Sequence, residues 1–165
     1  MSLNDKVALV TGAGRGMGSA IAIRLASEGA SVVTTDIDGK LADDTSITIK
    51  ELGHQAISIE ADIGDLDDID RVVNETLDAF GRIDILVNNA GVTRHADIMD
   101  VTMEDWDWIN RVNARGTFFC LQRVARELIK GGQGGRSSTS PPSPARAIQV
   151  PPTRPTLPAK ERYWP

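Results

Sequence analysis

Short apolar runs alternate with longer amphipathic stretches over the first 130 residues, and glycine or an acidic residue punctuates the junctions. Val7-Ala8-Leu9-Val10 is short and rich in branched side chains, so residues 6–10 read as a buried strand. Met17, Ile21 and Leu25 recur at intervals of four, which predicts a helix over 17–28 with that face inward and Gly29 as its stop. A second strand is expected over 31–35, ending in Asp36, and a second helix over 40–52 closed by Gly53, in spite of the β-branched residues between Thr45 and Ile49. Residues 56–59 read as a third strand. Residues 66–80 read as a third helix with Ile69, Val73 and Leu77 inward and Gly81 as its stop, and 83–87 as a fourth strand. A last helix is expected from Thr102, where Thr102-Met103-Glu104-Asp105 resembles a capping box, towards Leu128, with Trp106 and Trp108 as packing residues.

Regular alternation of strand, helix and glycine predicts an α/β fold, a parallel sheet with helices on both faces. Such sheets bind ligands at the carboxyl ends of their strands. The chemistry-bearing residues fall there: Gly12 after the first strand, Asp36 after the second, Asp62 after the third, and Asn88-Asn89-Ala90-Gly91 after the fourth.

Thr11-Gly12-Ala13-Gly14-Arg15-Gly16-Met17-Gly18 lies where the first strand turns into the first helix. Glycines let the backbone approach a pyrophosphate, and free N–H groups at a helix start favour an anion. A Walker loop is excluded, because no lysine lies between Lys6 and Lys40. The spacing G-x-G-x-x-G fails too, with Met17 or Ser19 at its last position. What fits is T-G-x-x-x-G-x-G, carried by Gly12, Gly16 and Gly18, and this spacing resembles the short-chain dehydrogenase/reductase family. Phe80-Gly81-Arg82-Ile83-Asp84-Ile85-Leu86-Val87 followed by Asn88-Asn89-Ala90-Gly91 is similar to that family's fourth-strand signature, and Trp106 to Gly116 to its fourth helix.

The resemblance implies a truncated Rossmann-like doubly wound sheet of strand order 3-2-1-4 over residues 1–130, serving hydride transfer between a nicotinamide dinucleotide and an alcohol or ketone. It places Gly12, Arg15, Gly16, Met17 and Gly18 at the pyrophosphate, and Asp36 with Ile37 at the adenosine ribose. It places Asp62 and Ile63 at the adenine, and Asn89, Ala90 and Gly91 near the nicotinamide-side ribose. A carboxylate at Asp36 repels a 2′-phosphate and argues for NAD, whereas Arg15 pulls towards NADP. Asp62 also reads as a solvated acid in the acidic loop from Glu60 to Asp70. Asn113 matches the asparagine of the family's Asn-Ser-Tyr-Lys catalytic set, and the helix around it implies a homo-oligomer interface.

Composition changes this picture only near residue 131. Residues 1–130 hold 13 basic and 22 acidic side chains, residues 131–165 five and one, and all eight prolines lie from Pro141 onwards. The acidic part gives no electrostatic reason to expect nucleic acid or a membrane surface. Cys120 is the single cysteine, which suits a reducing compartment, and no apolar run has the length of a membrane span, so the cytoplasm is expected. His54 and His95 stand apart from other ligand types, so no metal site is expected.

After Lys130 the resemblance stops. The family's catalytic Ser and Tyr-x-x-x-Lys are missing, since the only tyrosine, Tyr163, is followed by Trp164-Pro165. Reading the codons from Ser137 onwards one base earlier permits the string IINISSIAGTGDPGAADAAYSASKGAVLA, which restores a strand, Ser-Ser and Tyr-Ser-Ala-Ser-Lys in family order. A single-base deletion at or just before the Arg136/Ser137 junction, in the gene or in its reading, therefore accounts for the Pro/Ser/Arg-rich segment 131–165, which is expected to be irregular or disordered. The competing reading is a Pro-rich interaction tail, as Pro141 to Pro144 and Pro152 to Pro155 both satisfy P-x-x-P.

Overall fold

A computed structural model describes residues 3–130, 136–139 and 148–149 of the chain. In chain order the elements are β1 (Val7–Thr11), α1 (Gly16–Ser27), β2 (Ser31–Asp36), α2 (Gly39–Glu51), β3 (Ala56–Glu60), α3 (Leu66–Phe80) and β4 (Ile85–Asn88). Next come the two-residue β5 (Ala96–Asp97), a 3-10 turn at Ile98–Asp100, and α4 (Met103–Asn110). A π-helical segment, Arg111–Gly116, leads into α5 (Thr117–Lys130), followed by β6 (Arg136–Thr139) and β7 (Ile148–Gln149).

The main sheet is parallel, in the order β3-β2-β1-β4-β6. Its register aligns Thr11 with Thr35, Asp36 with Glu60 and Val10 with Val87, so the carboxyl ends of the strands finish at one edge. Alternation along each strand feeds two cores. Leu9, Val33 and Leu86 face α3 and α5 through Ile69, Val73, Cys120 and Val124. Ala8, Val10, Val32 and Val87 face α1 and α2 through Ala22, Ala26 and Ile49. Both faces of the sheet are thus covered by helices, as the continuous apolar strands require. Burial pushes the Cys120 thiol up to about 12, so it is a packing group rather than a nucleophile.

Three of the helices have a side-chain cap at their start. Asp38 accepts from the Leu41 N–H, Asp65 from those of Asp67 and Asp68, and Thr102 forms a full capping box with Asp105. At α1 the residue before the first turn is Arg15, which caps nothing, and the first turn carries no acid.

Several expectations are corrected. The buried face of α1 is Gly18, Ala22 and Ala26, while Ile21 and Leu25 are only partly covered and Met17 is exposed. Small residues let the helix lie close on the sheet, and the larger ones flank the contact. The last helix is not one continuous α-helix, because the π segment interrupts it; Gly116 there lies so close to the Ile63 carbonyl that an added Cβ would fall 2.3 Å from its oxygen. Trp106 and Trp108 are exposed rather than packed. The expected order 3-2-1-4 is present, and β6 extends it: it pairs with β4 in parallel from Ile85↔Arg136 to Asn88↔Thr139, so the outer edge of β4 is covered. Of residues 131–165, β6 and β7, the latter paired with β5, are the described parts; the remainder of that segment, with its P-x-x-P motifs, lies outside the described residues.

Candidate functional site

The ends of β1 and β4 are tied together by one hydroxyl and one amide. Thr11 Oγ1 accepts the N–H groups of Asn89 and Ala90 at 3.1 and 3.0 Å, and Asn89 Nδ2 donates to the carbonyls of Thr11 and Gly12 at 3.2 and 3.0 Å. Gly12 has φ +63°, and a Cβ on it would lie 2.7 Å from Ala90 Cα, so the turn out of β1 needs glycine twice over. From there the chain crosses to β2, where Ala13 N–H donates to the Thr35 carbonyl and Gly14 N–H to Asp36 Oδ2 at 2.9 Å. The other Asp36 oxygen accepts from Asp38 N–H at 3.1 Å, so two backbone donors orient this carboxylate.

Beyond β3 an Asx-type turn is built on Asp62, whose Oδ1 accepts the Gly64 N–H at 2.7 Å while its own N–H donates to Asp68 Oδ2 at 2.8 Å. Burial pushes the Asp68 carboxyl up, but hydrogen bonds from Arg71 and from the Asp62 N–H outweigh it and hold the group below its usual range. On the opposite side, the Asn113 side chain grips the backbone of Val92. Its Oδ1 accepts Val92 N–H and its Nδ2 donates to the Val92 carbonyl, each at 2.8 Å. A π turn with a mid-helix asparagine thereby fixes the loop that follows β4.

These loops enclose a cleft of about 340 Å³ at the carboxyl ends of β1 to β4. Among the residues expected from the sequence, Gly12, Arg15, Asp36, Ile37, Asp62, Ile63, Asn89, Ala90 and Gly91 line it together. Gly16, Met17 and Gly18 form the first turn of α1 just beside it, and Asn113 stands one residue behind the lining residue Val112. The sequence reading missed Ala61, Val92, Trp108, Arg111 and Val112. None of these carried a local signal in the sequence; Arg111 meets the acidic loop after β3 only in the fold, through its ion pair with Asp62 at 2.8 Å.

The cleft fits a dinucleotide. Glycines hold the backbone open: Gly16 has φ +58° with nothing within 4 Å of where a Cβ would be, and the first N–H groups of α1 have no side-chain cap. Asp36 presents an acceptor at the end of β2, with the exposed Ile37 and the largely buried Ile63 also in the lining. Among the described residues no group of three or more His, Cys, Asp or Glu side chains is arranged to hold a metal, and no helix is long and apolar enough to cross a membrane.

Comparison with known proteins bears on the family and the fold. The short chain dehydrogenase family model matches residues 6–136. A sorbitol dehydrogenase from Cereibacter sphaeroides is 44% identical over 136 residues, which cover 82% of this chain and 52% of that protein. The BbsD subunit of a hydroxy(phenyl)methylsuccinyl-CoA dehydrogenase from Thauera aromatica is 42% identical over 134 residues, covering 81% of this chain and 54% of its own. The crystal structure of a short-chain type dehydrogenase/reductase from Mycobacterium marinum superposes with a TM-score of 0.81 at 30% identity, over 84% of this chain and 56% of that one. The chain thus spans about half the length of the relatives it matches.

Proposed function

We propose, from the premise that this chain belongs to the short-chain dehydrogenase family, that its cleft is built to hold NAD, and that the chain as written binds the dinucleotide without completing hydride transfer. A bound nicotinamide supplies the hydride-accepting or hydride-donating carbon, and the family's reaction is exchange with an alcohol or ketone. The observation that carries the reading is the convergence of the open, uncapped start of α1 with the doubly anchored Asp36 carboxylate at one cleft. The N–H groups of Gly16 to Gly18 then hold the pyrophosphate, Asp36 accepts from the adenosine ribose hydroxyls, and Ile37 and Ile63 cover the base. Asn89 braces the glycine turn, while Ala90 and Gly91 leave room at the nicotinamide-side ribose. Asn113 acts by holding Val92 and with it the loop on the substrate side.

Hydride exchange at a carbinol carbon also needs a proton moved at its oxygen, and no Tyr-x-x-x-Lys occurs in residues 1–165 to move it. Asn113 has no titratable proton to offer in its place. Nicotinamide fluorescence on the purified chain is expected to show NADH binding at least about tenfold tighter than NADPH, and Asp36→Ala to erase that preference, as a charge-assisted hydrogen bond and a charge repulsion are both lost. A panel of alcohols and ketones is expected to give no NAD-linked turnover. Clear turnover, or tighter NADPH binding, would overturn the respective half of the proposal.

A shifted reading frame after Arg136 is part of the same proposal. Asn88, in register with Thr139, is 2% exposed, and neither its side-chain oxygen nor its nitrogen has a partner among the described residues. The shifted string puts asparagine at position 139, which supplies an amide for Asn88, and isoleucines at 137 and 138, where a sheet strand favours branched side chains over the present serines. Sequencing the coding DNA across codons 130–140 is expected to reveal a one-base-shifted frame encoding Tyr-x-x-x-Lys. If neither neighbouring frame encodes it, the segment is a genuine tail.

A further inference from the structure

At the adenine end of the cleft, Arg111 Nη2 stands 2.8 Å from Asp62 Oδ2. The pair is not withdrawn from the cleft: the two side chains keep 35% and 24% of their exposure, and both line its wall. Gly64 makes room for the guanidinium, since a Cβ there would lie 2.8 Å from Arg111 Nη1. Arg115 fixes the same turn by donating to the Gly64 carbonyl at 3.0 Å. Asp62 is the one polar partner of the Arg111 side chain among the described residues, so most of the guanidinium donors remain available to a ligand.

This matters for which base the cleft accepts. A carboxylate alone accepts from the 6-amino group of adenine and repels the 6-oxo group of hypoxanthine. A guanidinium beside it changes the rule, because it donates to a 6-oxo oxygen while the carboxylate accepts from the N1–H of the same ring. Resting on the dinucleotide reading of the cleft, we propose that Asp62 and Arg111 together read the purine 6-position in either form, so that the site takes adenine and hypoxanthine dinucleotides alike. Arg111 is then a specificity-determining residue that broadens the choice of base.

Fluorescence titration of the full chain with NADH and with reduced nicotinamide hypoxanthine dinucleotide tests this. The wild-type affinities are expected to agree within about threefold, and Arg111→Met to weaken the hypoxanthine dinucleotide by about tenfold or more relative to NADH, the loss of a charge-assisted hydrogen bond. Arg111→Lys, which keeps a cationic donor, is expected to restore part of that loss. Rejection of hypoxanthine by the wild type by about tenfold or more, or an unchanged ratio in a folded Arg111→Met, would overturn the inference. The wild-type ratio decides even where the variant fails to fold. If neither dinucleotide binds, the dinucleotide reading itself falls and this inference with it; if both bind, the ratio tests the inference alone.

Discussion

Gly18→Ala is expected to abolish dinucleotide binding and to cost the fold about 3 kcal/mol or more, because the new methyl has nowhere to go. A Cβ at this position would lie 2.0 Å from the Gly12 carbonyl oxygen and 2.5 Å from Asn89 Nδ2. The first is backbone, held where Asn89 binds it, so relief requires α1 to move off the end of β1. That movement carries away the N–H groups proposed to hold the pyrophosphate. Gly16→Ala is the informative comparison. Its methyl meets nothing within 4 Å, and the cost is the strain of φ +58°, about 1–2 kcal/mol. Urea denaturation of the two variants with the wild type, alongside NADH titration, checks the ranking. Equal stability of the two alanine variants would refute the steric account.

The second large effect is at Asp84, before β4. Its carboxylate is buried and accepts the Val7 N–H at 3.0 Å, Lys6 Nζ at 3.4 Å and a two-point contact from Arg82, so it joins β1 to β4 at the end of the sheet remote from the cleft. Burial pushes this carboxyl up, but the Arg82 contact, the Val7 N–H and the nearby charges outweigh it and hold the group below its usual value of 3.8. Asp84→Ala is expected to lose about 2–3 kcal/mol near neutral pH. The lower part of the range for broken buried pairs applies, because Lys6 and Arg82 are 42% and 40% exposed and regain water. A carboxyl lowered on folding contributes stability that is fully present above its unfolded value and is lost as pH falls through the folded one. The gap between wild type and variant is therefore expected to persist from neutral pH down to the usual carboxylate range and to close below it. Denaturant titrations across that range measure it, and a gap that widens on acidification would contradict the assignment.

Most of the sheet is legible in the letters, because a buried parallel strand is a short apolar run and nothing else in this chain looks like one. Asp36, Asp62 and Asn89 are legible for the same reason: they stand where such runs end. What escapes is whatever depends on closeness between segments distant in sequence. The face of α1 is misread because Ile21 and Leu25 announce a stripe by hydrophobicity, whereas contact with the sheet selects Gly18, Ala22 and Ala26 by size. Arg111 and Trp108 enter the cleft from a helix some fifty residues beyond Asp62, and no local spacing encodes that meeting. β6 escapes because Ser137-Ser138-Thr139 has no apolar alternation, and only the open edge of β4 gives those residues a strand to join.

The π segment also sets the phase of everything after it. Val112, Gly116, Cys120 and Val124 are all buried, one every fourth residue. On an unbroken α-helix such a stripe would wind about 40° further round the axis at each step. The wider turn from Arg111 to Gly116 takes up part of that drift, so α5 arrives with Cys120 and Val124 still towards the sheet. Loss of a single residue from the segment would therefore act like a twist applied to a shaft: α4 would stay where its cap holds it, and the whole apolar side of α5 would be turned away from Leu9 and Leu86.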